Sequence, residues 1–267
     1  MWQELRKHLK LYLFLLKLNA ARQLEYRTNL LLGLLVESGY LVVKLIYAYV
    51  VHDTGVHIAG FAPQTLYLFI GTFILMTAFF VSMLQFNIMA FDRLITEGDF
   101  DLMLTKPVST QFLATLRYAE TWMVLPNVLV GAGLIAYGWS ASGIALSLGN
   151  LGLYLLYMVM GVITMYGIFT LPMLLAFKFK HISSFHALVW GLWDFNNLPH
   201  RIFPSSLQML GTFLLPIFLI TNYSPLAILS QLTTTEMVWG IIAPILIFTA
   251  NLFGWKLVAK HYESAGG

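Results

Sequence analysis

Between residues 28 and 258 the chain is a succession of apolar stretches, and this restricts its fold more than any other feature. A helix needs about 20 mostly apolar residues to cross the hydrocarbon core of a bilayer. Six stretches reach or approach that length: residues 28–51, 65–90, 122–137, 151–177, 207–220 and 238–258. The third and fifth are short and hold Pro126 and Pro216. Proline is tolerated in membrane helices, where it kinks the rod and neighbours re-satisfy the freed carbonyl. A water-soluble fold fails on composition. Hydrophobic residues make up 59% and charged residues 10% of the chain, too few charges to cover a core of this size. The expected fold is an all-α integral membrane protein with six transmembrane helices.

Lysine and arginine set the orientation. Arg6, Lys7, Lys10, Lys17, Arg22 and Arg27 precede the first stretch. Arg93, Lys106 and Arg117 follow the second, Lys178 and Lys180 the fourth, and Lys256 and Lys260 close the sixth. Residues 52–64, 138–150 and 221–237 contain neither. The bias alternates at every crossing, so both termini are expected in the cytoplasm. Leu5, Leu9, Tyr12, Leu16 and Ala20 share one helical face, with Arg6, Lys10 and Lys17 on the adjoining one. Residues 1–27 therefore read as an interfacial amphipathic helix; the plainer alternative is a basic stretch that only sets topology. No small-residue cleavage site follows the first apolar run, so a cleavable signal is not expected. Residues 182–206 carry Phe185, Trp190, Trp193 and Phe195 beside Asp194, Asn196, Asn197, His200 and Arg201. They read as a cytoplasmic-side interfacial helix that ends near Pro199 and leads into the fifth span. Residues 223–230 read as a short re-entrant or surface helix on the outer side.

The absence of cysteine excludes disulfides, thiol catalysis and thiolate metal sites. Neither a P-loop nor an H-E-x-x-H motif occurs. Gly138-Trp139-Ser140-Ala141 matches the G-x-S-x of intramembrane serine proteases, but it falls in an outer loop with no histidine in a later span to act as base. His52, Asp53 and His57 are too few for a metal site and read as ordinary loop residues. Glu37 and Lys44 lie inside the first span, where ionisable groups are costly. Seven residues apart, they share a face at about 10 Å, beyond direct pairing. They read either as part of a passage or as helix-pairing groups, and Lys44 has the further option of snorkelling. The loop after the second span gathers Glu97, Asp99 and Asp101 around Gly98, then Phe100, Leu102, Met103 and Leu104, and closes with Lys106-Pro107. It is too apolar for a purely solvated loop, and a short amphipathic element of this kind suits a partner's groove.

The unit Ile95-x-x-Gly98-Asp99-Phe100-Asp101-x-x-Leu104-x-Lys106-Pro107-Val108-Ser109 resembles the cytoplasmic loop of ABC-2-type permeases, the membrane subunits of a class of ABC exporters. Arg201-Ile202-Phe203-Pro204, Thr212-Phe213-x-x-Pro216, Tyr223-x-Pro225-x-x-x-Leu229 and the tail from Tyr262 to Gly267 are similar to further stretches of the branch described as ABC-2 family transporter protein. Leu198-Pro199-His200 departs from it, since a tyrosine-proline pair is frequent there. The resemblance implies one permease domain over 1–267, with an interfacial helix 1–27, six spans within 28–258, a cytoplasmic coupling loop 91–121 and a tail 259–267. It implies a second permease, identical or sister, and two nucleotide-binding subunits that hold ATP and Mg. This chain would itself bind no cofactor and catalyse no reaction. Glu97, Gly98, Asp99, Phe100, Asp101, Lys106 and Pro107 would contact the ATPase, together with the N-terminal helix. The setting would be a plasma membrane, the inner membrane in a bacterium, with lipid and an unidentified substrate as further partners and no nucleic acid. Two rivals remain. A secondary transporter driven by an ion gradient would want more deep carboxylates than Glu37. A lipid-modifying enzyme would have to use His181, His186, Asp194 and His200, which follow no motif.

Overall fold

The computed structural model describes residues 2–179 and 183–261, which form helices joined by turns, with no β-sheet among the described residues. Helix α1 (Trp2–Glu25) turns at Tyr26 into α2 (Arg27–Thr54). Helix α2 ends at Gly55, whose left-handed φ of 68° suits a residue without Cβ. Helix α3 (Leu66–Phe80) passes through a π turn (Val81–Gln85) into α4 (Phe86–Thr96). Two short helices follow, α5 (Asp99–Leu104) and α6 (Thr110–Leu116). Helix α7 (Leu125–Ala141) has Pro126 in its first turn, where the missing N–H costs nothing; the proline starts this helix and does not kink it. Helix α8 (Leu148–Thr170) is capped by Ser147, which accepts from the Asn150 amide at 3.2 Å, and continues through Pro172–Leu175 into α9 (Ala176–Phe179). Among the described residues, four helical segments are long and apolar enough to cross a membrane: Arg27–Thr54, Leu66–Phe91, Leu148–Leu175 and Thr234–Val258. Leu125–Ala141 is a shorter apolar helix.

The closest packing is between α3 and α7, where glycines let two backbones touch. A Cβ on Gly71 would lie 2.8 Å from the Gly131 carbonyl oxygen, and one on Gly138 2.7 Å from the Leu68 nitrogen. Small residues are the usual means of close approach in lipid, where no hydrophobic force drives helices together. One end of the bundle carries the turns around residues 55–65, 142–147 and 229–233, tied by a 2.8 Å bond from Gln231 to the Gly60 carbonyl. The opposite end carries α5, α6 and α9, tied by the Phe100–Phe177 ring contact at 4.9 Å.

The structure corrects the reading of residues 182–206. Helix α10 (Ser183–Asp194) starts at the α9 end. Trp193 stacks on Phe80 at 4.3 Å, halfway along the α3–α4 rod. The chain continues through Phe195–Asn197 and His200–Ile202, and Arg201 donates to the Gln231 side chain at 2.8 Å and to its carbonyl at 2.6 Å. This segment therefore traverses the bundle and finishes beside Gly60, at the far end from α9. Asn196, Asn197, His200 and Arg201 each find a partner inside the protein, where such groups are tolerated at depth. Thr221 donates to Asn196 at 3.0 Å, Lys44 to Asn197 at 2.7 Å, and the His200 amide to Asn222 at 2.9 Å.

Residues 207–220 are correspondingly not one helix. Helix α11 (Ser205–Met209) enters from the Arg201 end, tightens into a π turn (Leu210–Leu214), and breaks at Leu215-Pro216. The chain returns through Ile217–Leu219 and α12 (Tyr223–Ile228), buried throughout, to the end it came from. Irregular backbone at membrane depth is stable when protein encloses it. Gly161 of α8 admits the Ile220 carbonyl, which a Cβ there would meet at 2.8 Å. Helix α13 (Thr234–His261) then opens with a capping box, the Thr233 amide donating to Glu236 at 2.8 Å and the Glu236 amide to the Thr233 hydroxyl at 3.2 Å.

Because the chain has no cysteine, single cysteines report sidedness without background. Ile202→Cys and Leu148→Cys, 44% and 91% exposed at the native residues, are expected to react with an impermeant maleimide from the same side of the membrane, and Thr96→Cys from the other. Labelling of residue 202 together with residue 96 would mean that 183–203 does not cross.

Candidate functional site

The acidic loop folds as a latched helix. Helix α4 stops at Glu97, and Gly98 reverses the chain at φ 77°. Asp99 and Asp101 occupy the first turn of α5, where the positive end of the helix dipole favours carboxylates. Six residues cannot hold a helix unaided, so tertiary anchors fix it. Phe100 is fully buried and Met103 nearly so, against an aromatic cluster of Phe177, Trp255 and Phe91. Leu102, 62% exposed, and Leu104 point away from that cluster. Phe100 is thus an anchor inside the chain and does not project outward with the acids. Arg93 pairs with Glu97 at 2.7 Å one turn earlier on α4. Lys106 and Pro107 close the element in exposed positions.

Helix α1 lies along this loop. Lys7 donates to the Pro107 carbonyl. Phe112 of α6 packs edge-on against His8 at 5.1 Å and Tyr12 at 6.3 Å. Burial raises the Tyr12 hydroxyl pKa above its ordinary value. Further along, Asn19 donates to the Arg117 carbonyl at 3.0 Å, and the Gln23 side chain accepts from the Thr121 and Trp122 amides at 3.2 Å each. Between α1 and α5 runs a groove of about 430 Å³ floored by Leu11, Leu15, Met103 and Leu113, with Asp99, Lys106 and Arg117 at its rim.

A polar cluster that the sequence reading missed ties α6 to two long helices. Gln111 donates to the Tyr166 hydroxyl of α8 at 2.9 Å and to Asn251 of α13 at 2.6 Å. Thr115 and Tyr166 share a 3.0 Å bond, and Asn251 donates to Thr170 at 2.7 Å. The available signal was Asn251 in the middle of an apolar run, and Tyr166 with Thr170 one turn apart.

Glu37 and Lys44 both sit on the bundle-facing side of α2, with separate partners. Asn127 of α7 donates to Glu37. Lys44 reaches Asn197 and lies over the Phe73 ring at 4.6 Å. Each ties α2 to a neighbouring segment, Glu37 to α7 and Lys44 to Phe195–Asn197. His200 packs against Phe218 and its ring lies 3.3 Å from Asn222; Asp194 accepts from Asn197. These two do not converge on one another, and His181 lies outside the described residues, as does the tail from Tyr262. Among the described residues no three His, Asp or Glu gather as metal ligands.

Long apolar helices joined by glycine contacts, with ionisable groups turned inward, define a multi-pass helical membrane protein. A family model for ABC-2 family transporter protein matches residues 39–266. The chain belongs to that family and is a membrane permease of an ABC transporter, as the loop and tail motifs suggested. Such a permease is a transmembrane component that works with ATP-binding subunits and is not, in general, itself catalytic. Searches of curated proteins and of solved structures find no match.

Proposed function

We propose that this chain is the membrane-spanning subunit of an ATP-driven exporter, acting as one of two permeases that enclose the transport path. The observation that carries the reading is the latched α5: its apolar side is locked into the bundle while Asp99, Leu102 and Leu104 face outward. Such an element transmits force, because pushing its exposed side moves the aromatic cluster behind it. Closure of two separate ATPase subunits, which hold ATP and Mg, would press on α5 and α1. The polar bonds from Gln111 would carry that movement to α8 and α13, shifting the permeases between inward- and outward-facing states. Counting α10 through Ile202 as a crossing gives six, and the lysine and arginine bias supports a cytoplasmic position for α5 and both termini. The setting is a plasma membrane, the inner membrane in a bacterium. The outer-side hairpin of 205–228 would cap the path.

Co-purification tests this. The tagged chain is extracted in mild detergent from its native membrane and its companions are identified by mass spectrometry. Recovery of a Walker-A ATPase at about one copy per permease is the expected result. Its absence under conditions that keep other transporters intact would overturn the reading.

A further inference from the structure

At the elbow between α1 and α2 lies a cavity of about 440 Å³ that the coupling geometry does not use. Its walls are chemically divided. Arg22 and Asn19 stand on the α1 side, Glu120 on the opposite side, and Leu30, Phe86 and Met123 complete an apolar flank. Glu120 is held in place through its backbone, which donates to the Ser82 carbonyl at the π turn at 3.2 Å. One of its carboxylate oxygens is buried with no hydrogen-bond donor. That is a costly state, because a charged acceptor shielded from water wants a donor. Arg22 is close enough to act on this carboxylate electrostatically but makes no ion pair with it. Burial holds the Glu120 pKa above the usual carboxylate range, and Arg22 opposes the shift.

Glu120 as a whole is only half-buried and lines the cavity, so a ligand that fills this pocket must bring N–H donors to the accessible side of its carboxylate, an anion to Arg22 and an apolar body to Leu30 and Met123. The amphipathic character of α1 places the elbow at headgroup level. We propose that the pocket binds the head of a phosphoethanolamine lipid, its ammonium against Glu120 and its phosphate against Arg22. In the proposed orientation of the permease this headgroup belongs to the cytoplasmic leaflet, the one part of the proposal that rests on that reading. A choline lipid offers no N–H to the carboxylate, and a phosphoglycerol lipid brings no cation. Both should bind less well.

Native mass spectrometry of the full chain, with whatever subunits co-purify, would test this after delipidation and addition of the three lipids with identical acyl chains. The ethanolamine lipid is expected to be retained about tenfold over the other two, the worth of one charge-assisted hydrogen bond. Glu120→Gln should bring it to the level of the choline lipid. Equal retention of all three by the native chain, or an undiminished preference in Glu120→Gln, would overturn the proposal. If that variant does not fold, the headgroup series on the native chain decides alone. The readout needs no ATPase, so it stands or falls separately from the exporter reading.

Discussion

Phe100→Ala is expected to abolish coupling while leaving the chain inserted in the membrane. The native ring is fully buried against Phe177, and emptying such a site costs about 3–5 kcal/mol. Helix α5 has six residues and no means of holding its place without that anchor and Met103. Amide exchange over residues 99–104 should accelerate by about two orders of magnitude or more. ATPase activity of the assembled transporter should then no longer respond to substrate. The triple variant Glu97→Lys, Asp99→Lys, Asp101→Lys makes the complementary case. It reverses the charge of the outward face and leaves Phe100 and Met103 buried. Charge at a first helical turn is worth about 0.3–1 kcal/mol, and the exposed Arg93–Glu97 pair contributes little. Protection over 99–104 should therefore survive while transport and hydrolysis separate. Normal transport by the triple variant would show that α5 is not the coupling element. Unchanged exchange in Phe100→Ala would show that the aromatic cluster does not hold it.

The division of α5 into anchor and outward face was legible in part. Phe100 and Met103 are three apart, and so share a helical face that Leu102 does not. The sequence shows that face as apolar, but the rings that receive it come from residues 91, 177 and 255, remote in the chain. The long spans at 28–51, 65–90, 151–177 and 238–258 were legible for a simpler reason. Each is a continuous apolar helix whose length alone matches a bilayer.

The passage of residues 183–203 through the bundle was not legible, and the cause is physical. Asp194, Asn196, Asn197, His200 and Arg201 lower the local hydropathy of 183–203 to that of an interface. Their partners, Lys44, Thr221, Asn222 and Gln231, lie at remote positions or in the hairpin that follows. Conversely, the apolarity of 217–220, the returning arm of the hairpin, marks enclosure by protein. Phe218, Leu219 and Ile220 are 2% exposed or less, whereas α2, a lipid-length span, leaves Leu35 70% exposed. Local hydropathy reports that a segment avoids water. It does not distinguish lipid from protein as the medium that replaces water, nor a crossing from a hairpin.

The same distinction sets the second large effect, that of Gly71→Val. The Cβ it adds would fall 2.8 Å from the Gly131 carbonyl oxygen and 2.8 Å from the Ile135 nitrogen. Both are backbone atoms of α7, which no rotamer change can move aside. Relief requires the α3–α7 crossing to widen, and the Gly138–Leu68 contact further along would open with it. Overpacking usually costs about 1–3 kcal/mol, and a clash with helical backbone on two sides belongs at or above the top of that range. The damage would spread, because Asn127 at the start of α7 holds Glu37 of α2. Separating α7 from α3 strains that bond and exposes a carboxylate to lipid, where an unpaired charge is expensive. Gly71→Val should therefore fail to give a monodisperse species in mild detergent, or melt far below the native chain. Gly133→Val is the matched control. It lies on the same helix as Gly131, and a Cβ there meets nothing within 4 Å, so it should melt with the native chain. If Gly71→Val did the same, the glycine contact would not be what joins α3 to α7, and the pairing would have to rest on the ring contact of Tyr67 with Tyr137 at 4.8 Å.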